Sequence, residues 1–317
     1  MRPGRRMALA GLGVAAALMG AACSSSSAAT GSAASQGNPG GTETVAAVGA
    51  ENEYANVIGQ IGGAYVQVTA IENNPNTDPH TFEASPSVAN AISSAKLVVQ
   101  NGAGYDGYMN RIEAAAPDPS RKVIDVANLL HLPDSTPNPH LWYSPATMPA
   151  VARAIAAALA GLLPAHAGYF TANLHRFDSS LRPWYQAIAQ FKAAHPGTPV
   201  AVSEPVADYL LQAAGTRVLT PFIFQADIMN GVDPSPQDVS LMNGFFSRHQ
   251  VRVFLYNQQV TDSLTQSFLH EAARYGIPVV GVYETMPTPG YDYQSWMLAE
   301  VRALQQAVTG KISTQKL

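Results

Sequence analysis

The sequence predicts an α/β fold with two lobes, each built on a mainly parallel sheet, and one long backbone helix that joins them. Short apolar segments of strand length alternate with helical segments in the order βαβα. This alternation occurs twice, once before residue 163 and once after residue 195. The intervening stretch has a continuous helical pattern that is much longer than an ordinary loop.

The predicted N-terminal lobe covers residues 43–163 and opens with a short strand. Runs rich in aliphatic and β-branched residues indicate four strands, Thr44–Val48, Val66–Ala70, Leu97–Gln100 and Val123–Val126. Apolar residues at helical spacing predict three helices, Ser85–Ala95, Tyr108–Ala115 and Ala146–Leu163.

The connecting helix is predicted over residues 164–194. Pro164 suits its first turn, where a proline leaves no required hydrogen bond unmade. An apolar stripe at spacings of three and four follows it, made of Phe170, Leu174, Phe177, Leu181 and Tyr185. Because Pro183 lies inside the pattern, we expect a kink there.

The predicted C-terminal lobe covers residues 195–317 and repeats the alternation. Its strands are predicted at Thr198–Val202, Arg217–Phe222, Arg252–Tyr256 and Pro278–Tyr283. Its helices are predicted at Pro205–Ala214, Pro236–His249, Asp262–Tyr275 and Gln294–Thr309. A ligand site between two such lobes would lie outside the carboxyl ends of the strands.

The N-terminus has the pattern of an export signal. Residues 1–22 combine an arginine-rich start with a short apolar run that ends in small residues, which is typical of a signal peptide. The single cysteine, Cys23, follows directly and resembles the lipidated cysteine of a bacterial lipobox; an incidental cysteine after an ordinary secretory signal is the alternative. Residues 23–42 are rich in Ser, Ala and Gly and predict a flexible linker between a lipid anchor and the folded body.

Composition narrows the class of protein. The chain has 317 residues, of which 47% are hydrophobic and 13% charged, so a packed core is expected and global disorder is not. The formal net charge is -4, and the absence of a basic excess argues against nucleic-acid binding. With one cysteine, no disulfide can form within the chain.

Histidines and carboxylates at strand ends and helix starts are the candidate functional residues. They are His80 and His140, each directly after a proline, together with Glu204, Glu284 and Asp292. Imidazole nitrogen and carboxylate oxygen are suitable ligands for a first-row divalent metal when no thiolate is available. We therefore hypothesise a metal site between the lobes, although a lone histidine is more often structural than a ligand.

Four sequence elements strengthen this hypothesis by resemblance. The segments DPHTFEASPS, NPHLWYSP, VSEPVADYLL and ETMPTPGYDYQSWM are similar to successive signatures of the zinc/manganese-type metal-binding lipoproteins of ABC importers. The resemblance covers the chain from about Thr44 to the C-terminus. It implies that His80 and His140 are metal ligands and that Glu204 occupies the third ligand position.

The fourth ligand stays open between two carboxylates. The family has an aspartate before the final helix; a gapless alignment puts Tyr291 there, and Asp292 fits after a shift of one residue. Glu284 ends the last predicted strand and is the competing candidate. We expect Asp292 slightly ahead of Glu284, although an aspartate before a helix is also an ordinary N-cap.

The resemblance also implies a function. It describes a monomeric binding protein, not an enzyme, lipid-anchored at the outer face of the cytoplasmic membrane. Such a protein captures Zn²⁺ or Mn²⁺, with Fe²⁺ as a further candidate, and delivers it to the permease and ATPase of an ABC transporter. A metal-dependent hydrolase or a surface adhesin with a structural metal are the alternatives, and the chain lacks the HExxH and HxxEH motifs of helical metallohydrolase sites.

Overall fold

The structure is a computed structural model that describes residues 43–317. The predicted signal peptide (1–22), the lipidation candidate Cys23 and the predicted linker (23–42) lie outside the described residues. Within the described part of the chain, no helix combines the length and the hydropathy needed to span a bilayer.

The first sheet contains four parallel strands in the order β2-β1-β3-β4. The strands are β1 Val45–Glu51, β2 Val66–Glu72, β3 Leu97–Gln100 and β4 Lys122–Asp125. The helices around it are α1 Asn52–Gly62, α2 Pro86–Ser94, α3 Tyr108–Ala115, α4 Val126–Leu129 and α5 Thr147–Leu162. Because all four strands run the same way, their carboxyl ends meet at one edge of the sheet.

The second sheet repeats this plan with four parallel strands in the order β6-β5-β7-β8. The strands are β5 Pro199–Val202, β6 Arg217–Val218, β7 Val253–Asn257 and β8 Val279–Val282. The helices are α8 Asp208–Ala213, α9 Phe222–Met229, α10 Pro236–Ser247, α11 Ser263–Arg274 and α12 Tyr293–Gly310. The predicted α/β class, with two parallel-sheet lobes, is confirmed.

Two consecutive helices, α6 Ala167–Ser180 and α7 Arg182–Ala194, form the connection between the sheets. They meet at Leu181, two residues before Pro183, where the sequence predicted a kink. Proline has no N–H to donate to the carbonyl four residues back, Ser179 O. The guanidinium Nε of Arg182 donates to that carbonyl instead, at 3.1 Å.

The structure differs from the sequence-based elements at three places. Helix α4, which was not predicted, begins at Val126, the last residue of the predicted strand Val123–Val126. Helix α1 was not predicted, yet it supplies the crossover that the parallel pair β1–β2 requires. The segment predicted as a strand over Arg217–Phe222 is a strand only at Arg217–Val218. Pro221 is then the N-cap of helix α9, which was not predicted. The difference arises because a short apolar run is equally compatible with a strand and with a buried helix.

One apolar core runs through both lobes. It includes strand residues of both sheets and all three tryptophans, Trp142, Trp184 and Trp296, none of which is exposed. Helices α7 and α12 pack against each other beside this core. The shared core fixes the two sheets relative to one another, and with them the edges that carry the candidate residues.

Candidate metal centre

Four of the five candidate residues, namely His80, His140, Glu204 and Glu284, lie in short turns or just after the end of a strand. His80 lies in a 3₁₀ turn, Pro79–Thr81, beyond β2, and His140 begins the 3₁₀ turn Leu141–Tyr143. Glu204 and Glu284 each lie two residues after the end of a strand, β5 and β8 respectively. The parallel topology thus brings residues that are far apart in sequence to one place.

Both histidines point a ring nitrogen at the same carboxylate oxygen. The Nε2 atom of His80 lies 3.2 Å from Oε2 of Glu284, and Nε2 of His140 lies 3.1 Å from the same atom. Ligand-type atoms of these three residues lie within 4.8 Å of one another. For comparison, metal–ligand bonds of about 2.1 Å in a tetrahedron separate the ligand atoms by roughly 3.4 Å. The spacing is therefore compatible with a metal ion bound among these atoms.

The hydrogen bonds of His140 fix its tautomer. The amide Nδ2 of Asn138 donates to the Pro205 carbonyl at 2.7 Å, so Oδ1 of Asn138 must face His140. That oxygen accepts from the backbone N–H of His140 at 3.0 Å and lies 2.8 Å from its Nδ1. Nδ1 consequently carries a proton, and Nε2 is left with a lone pair directed at Glu284. Such an arrangement calls for a proton or a cation between the two atoms.

Glu204 adjoins this cluster through an asparagine. The amide Nδ2 of Asn257 donates to Oε1 of Glu284 at 2.6 Å and to Oε2 of Glu204 at 3.2 Å. The other oxygen of Glu204 is buried and finds no hydrogen-bond partner among residues 43–317. Glu204 is 2% exposed and Glu284 is fully buried, so both carboxylates are held out of water.

The electrostatics of the cluster centre on Glu284. Burial by itself would raise the pKa of Glu284, but its interactions with His140 and His80 hold that pKa well below its ordinary value. Burial lowers the pKa of His140, whereas for His80 the interaction with Glu284 outweighs burial and raises the pKa to about 9. Burial and the negative charge of Glu284 raise the pKa of Glu204 well above its ordinary value. The raised pKa of His80 favours an imidazolium that compensates the buried charge of Glu284, and the raised pKa of Glu204 favours its neutral form.

An aromatic wall covers one side of the cluster. The hydroxyl of Tyr105 donates to Oε2 of Glu284 at 2.9 Å, and its ring lies 5.9 Å from that of His140 and 5.2 Å from that of Trp142. Sequence reasoning missed Tyr105 and Asn257. Both lie outside the four segments that resemble the family signatures. The one available signal was that Asn257 is the last residue of a strand, since Glu204 and Glu284 also lie close to strand ends.

Asp292 has a different role in the structure. It is the N-cap of α12, with Oδ1 accepting from the backbone N–H of Ser295 at 2.9 Å and Oδ2 accepting from Nε2 of Gln294 at 3.0 Å. In the part of the chain that is described, it does not belong to the group formed around His80 and His140. The geometry therefore favours Glu284 over Asp292, against the slight preference drawn from sequence.

Asp78 is also a cap rather than a partner of an imidazole. Its Oδ1 accepts from the backbone N–H of His80 at 2.9 Å, which closes the 3₁₀ turn. This bond fixes the backbone that carries His80. The side chain of His80 is 23% exposed, whereas that of His140 is fully buried. His80 therefore lies on the solvent-facing side of the cluster.

Comparison with known proteins identifies the family. The family model for ZnuA, described as zinc-uptake complex component A, periplasmic, matches residues 48–307. The manganese-binding lipoprotein MntA of Bacillus subtilis (strain 168) is 26% identical over 142 residues, which are 41% of this chain and 44% of MntA. A putative metal-binding protein of Thermotoga maritima is 31% identical over 94 residues, 30% of this chain and 33% of that protein. The chain thus aligns with less than half of the length of these curated relatives.

Solved structures share the fold over much more of the chain. A crystal structure of ZnuA superposes with a TM-score of 0.68 at 23% identity and covers 84% of this chain and 100% of that one. The periplasmic zinc-binding protein TroA of Treponema pallidum superposes with a TM-score of 0.71 at 16% identity, covering 85% and 99%. Since the family model spans most of the chain, the protein belongs to the ZnuA family, a family of extracytoplasmic metal-binding proteins and not of enzymes.

Proposed function

We propose that this protein captures one divalent transition-metal ion with His80, His140, Glu204 and Glu284 and delivers it to the permease and ATPase of an ABC importer. One observation carries the proposal: two imidazole nitrogens converge on a single buried carboxylate oxygen, at 3.2 and 3.1 Å. Two neutral nitrogen donors and two carboxylates neutralise a dication, so the ion leaves no uncompensated buried charge.

The donor set suits Zn²⁺ or Mn²⁺, with Fe²⁺ as a further candidate. Imidazole favours zinc and iron, whereas carboxylate oxygen tolerates manganese. Affinity at most such sites follows the order Mn²⁺ < Fe²⁺ and is higher again for Zn²⁺, so availability and geometry decide which ion is carried. Curated relatives and structural neighbours are named for both manganese and zinc.

The proposed location is the outer face of the cytoplasmic membrane, with Cys23 as the lipid attachment site and the protein acting as a monomer. A single cysteine directly after the predicted signal peptide supports this proposal. A relative that is named as a lipoprotein, MntA, supports it as well. Attachment through residues 23–42 would leave the metal-binding body free to meet the importer.

The test is a titration of chelator-treated protein with Zn²⁺ and Mn²⁺ by isothermal calorimetry, followed by metal analysis after desalting. We expect one tightly held ion per chain in the wild type and loss of that ion in His140→Ala. His270→Ala, which changes an exposed histidine on α11, is the matched control and should retain the ion. A wild-type metal content near zero after loading would contradict the proposal.

A further inference from the structure

Gln259 is a buried polar residue, 7% exposed, that contacts two of the segments carrying proposed ligands, those of His80 and Glu284. It lies two residues beyond β7 and has no place in the proposed ligand set. Its Oε1 accepts from the backbone N–H groups of Glu284 at 2.6 Å and Thr285 at 2.9 Å. Its Nε2 donates to the carbonyl of Thr77 at 2.6 Å and to Oγ1 of Thr285 at 3.2 Å.

These bonds determine which way the amide faces. A glutamine side chain offers two acceptor sites on its oxygen and two N–H donors, and all four are used here. The two backbone N–H groups of the Glu284 turn require an acceptor, so Oε1 must face them. The amide nitrogen is therefore directed at Thr77, a residue of the other lobe, three positions before His80.

The turn at Glu284 is held by amides from both lobes. Gln259 accepts from Glu284 and Thr285, and the next N–H, that of Met286, donates to Oδ1 of Asn52 at 2.9 Å. Asn52 in turn donates from Nδ2 to the Met286 carbonyl, also at 2.9 Å. Asn52 supports the turn but does not reach the His80 loop. Of these two amide side chains, only Gln259 therefore connects the Glu284 turn to the His80 loop.

We propose that Gln259 is a positioning residue that holds the His80 loop against the Glu284 turn and thereby slows release of the captured ion. We call its hydrogen bond to the Thr77 carbonyl the latch. The inference rests on the proposed function. Within residues 43–317, the Gln259–Thr77 bond and the His80–Glu284 contact are the polar links between the loop at 73–85 and the second lobe. His80 is also the most exposed of the three clustered residues, so an ion leaves most readily when this loop moves outward.

Gln259→Glu isolates the latch. Glutamate has the size of glutamine and, when ionised, still accepts from the backbone N–H groups of Glu284 and Thr285, but it presents an oxygen to the Thr77 carbonyl, where a donor is needed. Release is measured at alkaline pH, because a protonated glutamate could donate to that carbonyl. The added negative charge would by itself retain a cation more strongly. Faster release from this variant would therefore come from the lost cross-lobe bond and not from the charge.

Thr285→Val is the matched control. It removes the other acceptor of the Gln259 amide nitrogen and leaves the bond to Thr77 in place. Zn²⁺-loaded wild type, Gln259→Glu and Thr285→Val are mixed with excess chelator, and the release rate is followed by stopped-flow fluorescence. We expect release at least about tenfold faster in Gln259→Glu and a rate close to wild type in Thr285→Val.

The absorption spectrum of bound Co²⁺ provides a second readout, since it reports the ligands around the ion and not overall stability. We expect a changed spectrum in Gln259→Glu and an unchanged one in Thr285→Val. If Gln259→Glu does not fold, Gln259→Met replaces it. Because methionine also removes the acceptor of the Glu284 turn, Asn52→Leu, which removes the other hydrogen-bonded support of that turn and leaves the bond to Thr77 in place, is then the control that should release the ion more slowly than Gln259→Met. Wild-type release rates in the folded variant, or equal acceleration in Thr285→Val, would overturn the latch. Failure of the wild type to bind Zn²⁺ would instead overturn the proposed function.

Discussion

Substituting Glu284 with glutamine should abolish most of the metal affinity, for a reason that the hydrogen bonds supply. Oε1 of Glu284 accepts from the Asn257 amide at 2.6 Å, so a glutamine there must keep its oxygen on Asn257. Its NH₂ group would then occupy the position of Oε2, which now faces Nε2 of His80 and of His140. An amide nitrogen that carries hydrogens is not a metal ligand, and the site would lose a ligand and a negative charge together.

The expected magnitude follows from comparison with weaker perturbations. Loss of a residue that only orients a metal ligand typically costs 10–100-fold in affinity. Loss of the ligand itself should therefore cost at least about 100-fold, or roughly 2.7 kcal/mol. Asp292→Asn should leave the affinity within about twofold, because Asp292 caps α12 and an asparagine is an equally good N-cap.

Dissociation constants for Zn²⁺, measured by competition with a chelating dye, separate these expectations. Circular dichroism and thermal melting of the metal-free variants establish that both are folded. Unchanged affinity in Glu284→Gln would refute the assignment of Glu284 as a ligand. A large loss confined to Asp292→Asn would restore the aspartate that the resemblance had favoured.

Four further expectations concern the whole protein. The affinity for metal should rise with pH up to about 9, because the ion must displace the proton held by His80. The rise should be as much as about tenfold per pH unit for each proton displaced, and titrations between pH 6 and 9 measure it. Metal should raise the melting temperature, because only the folded state binds it; unchanged melting after chelation would contradict this. Small-angle scattering curves with and without metal should nearly superpose, because the lobes share one core and the Asn52–Met286 pair; a contraction of several ångströms would contradict it. Cys23→Ala should release the protein from the membrane fraction, and full retention would place the anchor elsewhere.

Local sequence patterns were sufficient for the fold class and for two of the candidate ligands. A proline before His80 and before His140 fixes the backbone of each, and the motifs around them match a family signature. The choice between Glu284 and Asp292 could not be made this way. In sequence, Asp292 fits the pattern of an N-cap and that of a ligand equally well. Only the tertiary structure shows that Glu284 lies 3.2 and 3.1 Å from the Nε2 atoms of His80 and His140.

Residues that act through tertiary contacts left no signal in the sequence. Gln259 and Asn257 lie in the segment YNQQV, which has no recognisable motif. They bond to each other, and their other hydrogen-bond partners are at least 25 residues away in the sequence. Helix α1 was missed for a different reason. The parallel pairing of β1 and β2 requires a crossover, and this topological argument would have predicted a helix where local periodicity did not.

The charges of the proposed site would permit reversible capture of a dication. Without metal, the raised pKa values of His80 and Glu204 favour a positive imidazolium and a neutral carboxyl, so that with an ionised Glu284 these groups would have no net charge. In the proposed metal-bound state, a dication faces two carboxylates and two neutral imidazoles, and the net charge is again zero. Exchange of one ion for two protons would then leave no uncompensated buried charge, whose cost would otherwise oppose one of the two states. The buried carboxylates would hold the ion tightly outside the cell and still let protons replace it when the His80 loop opens.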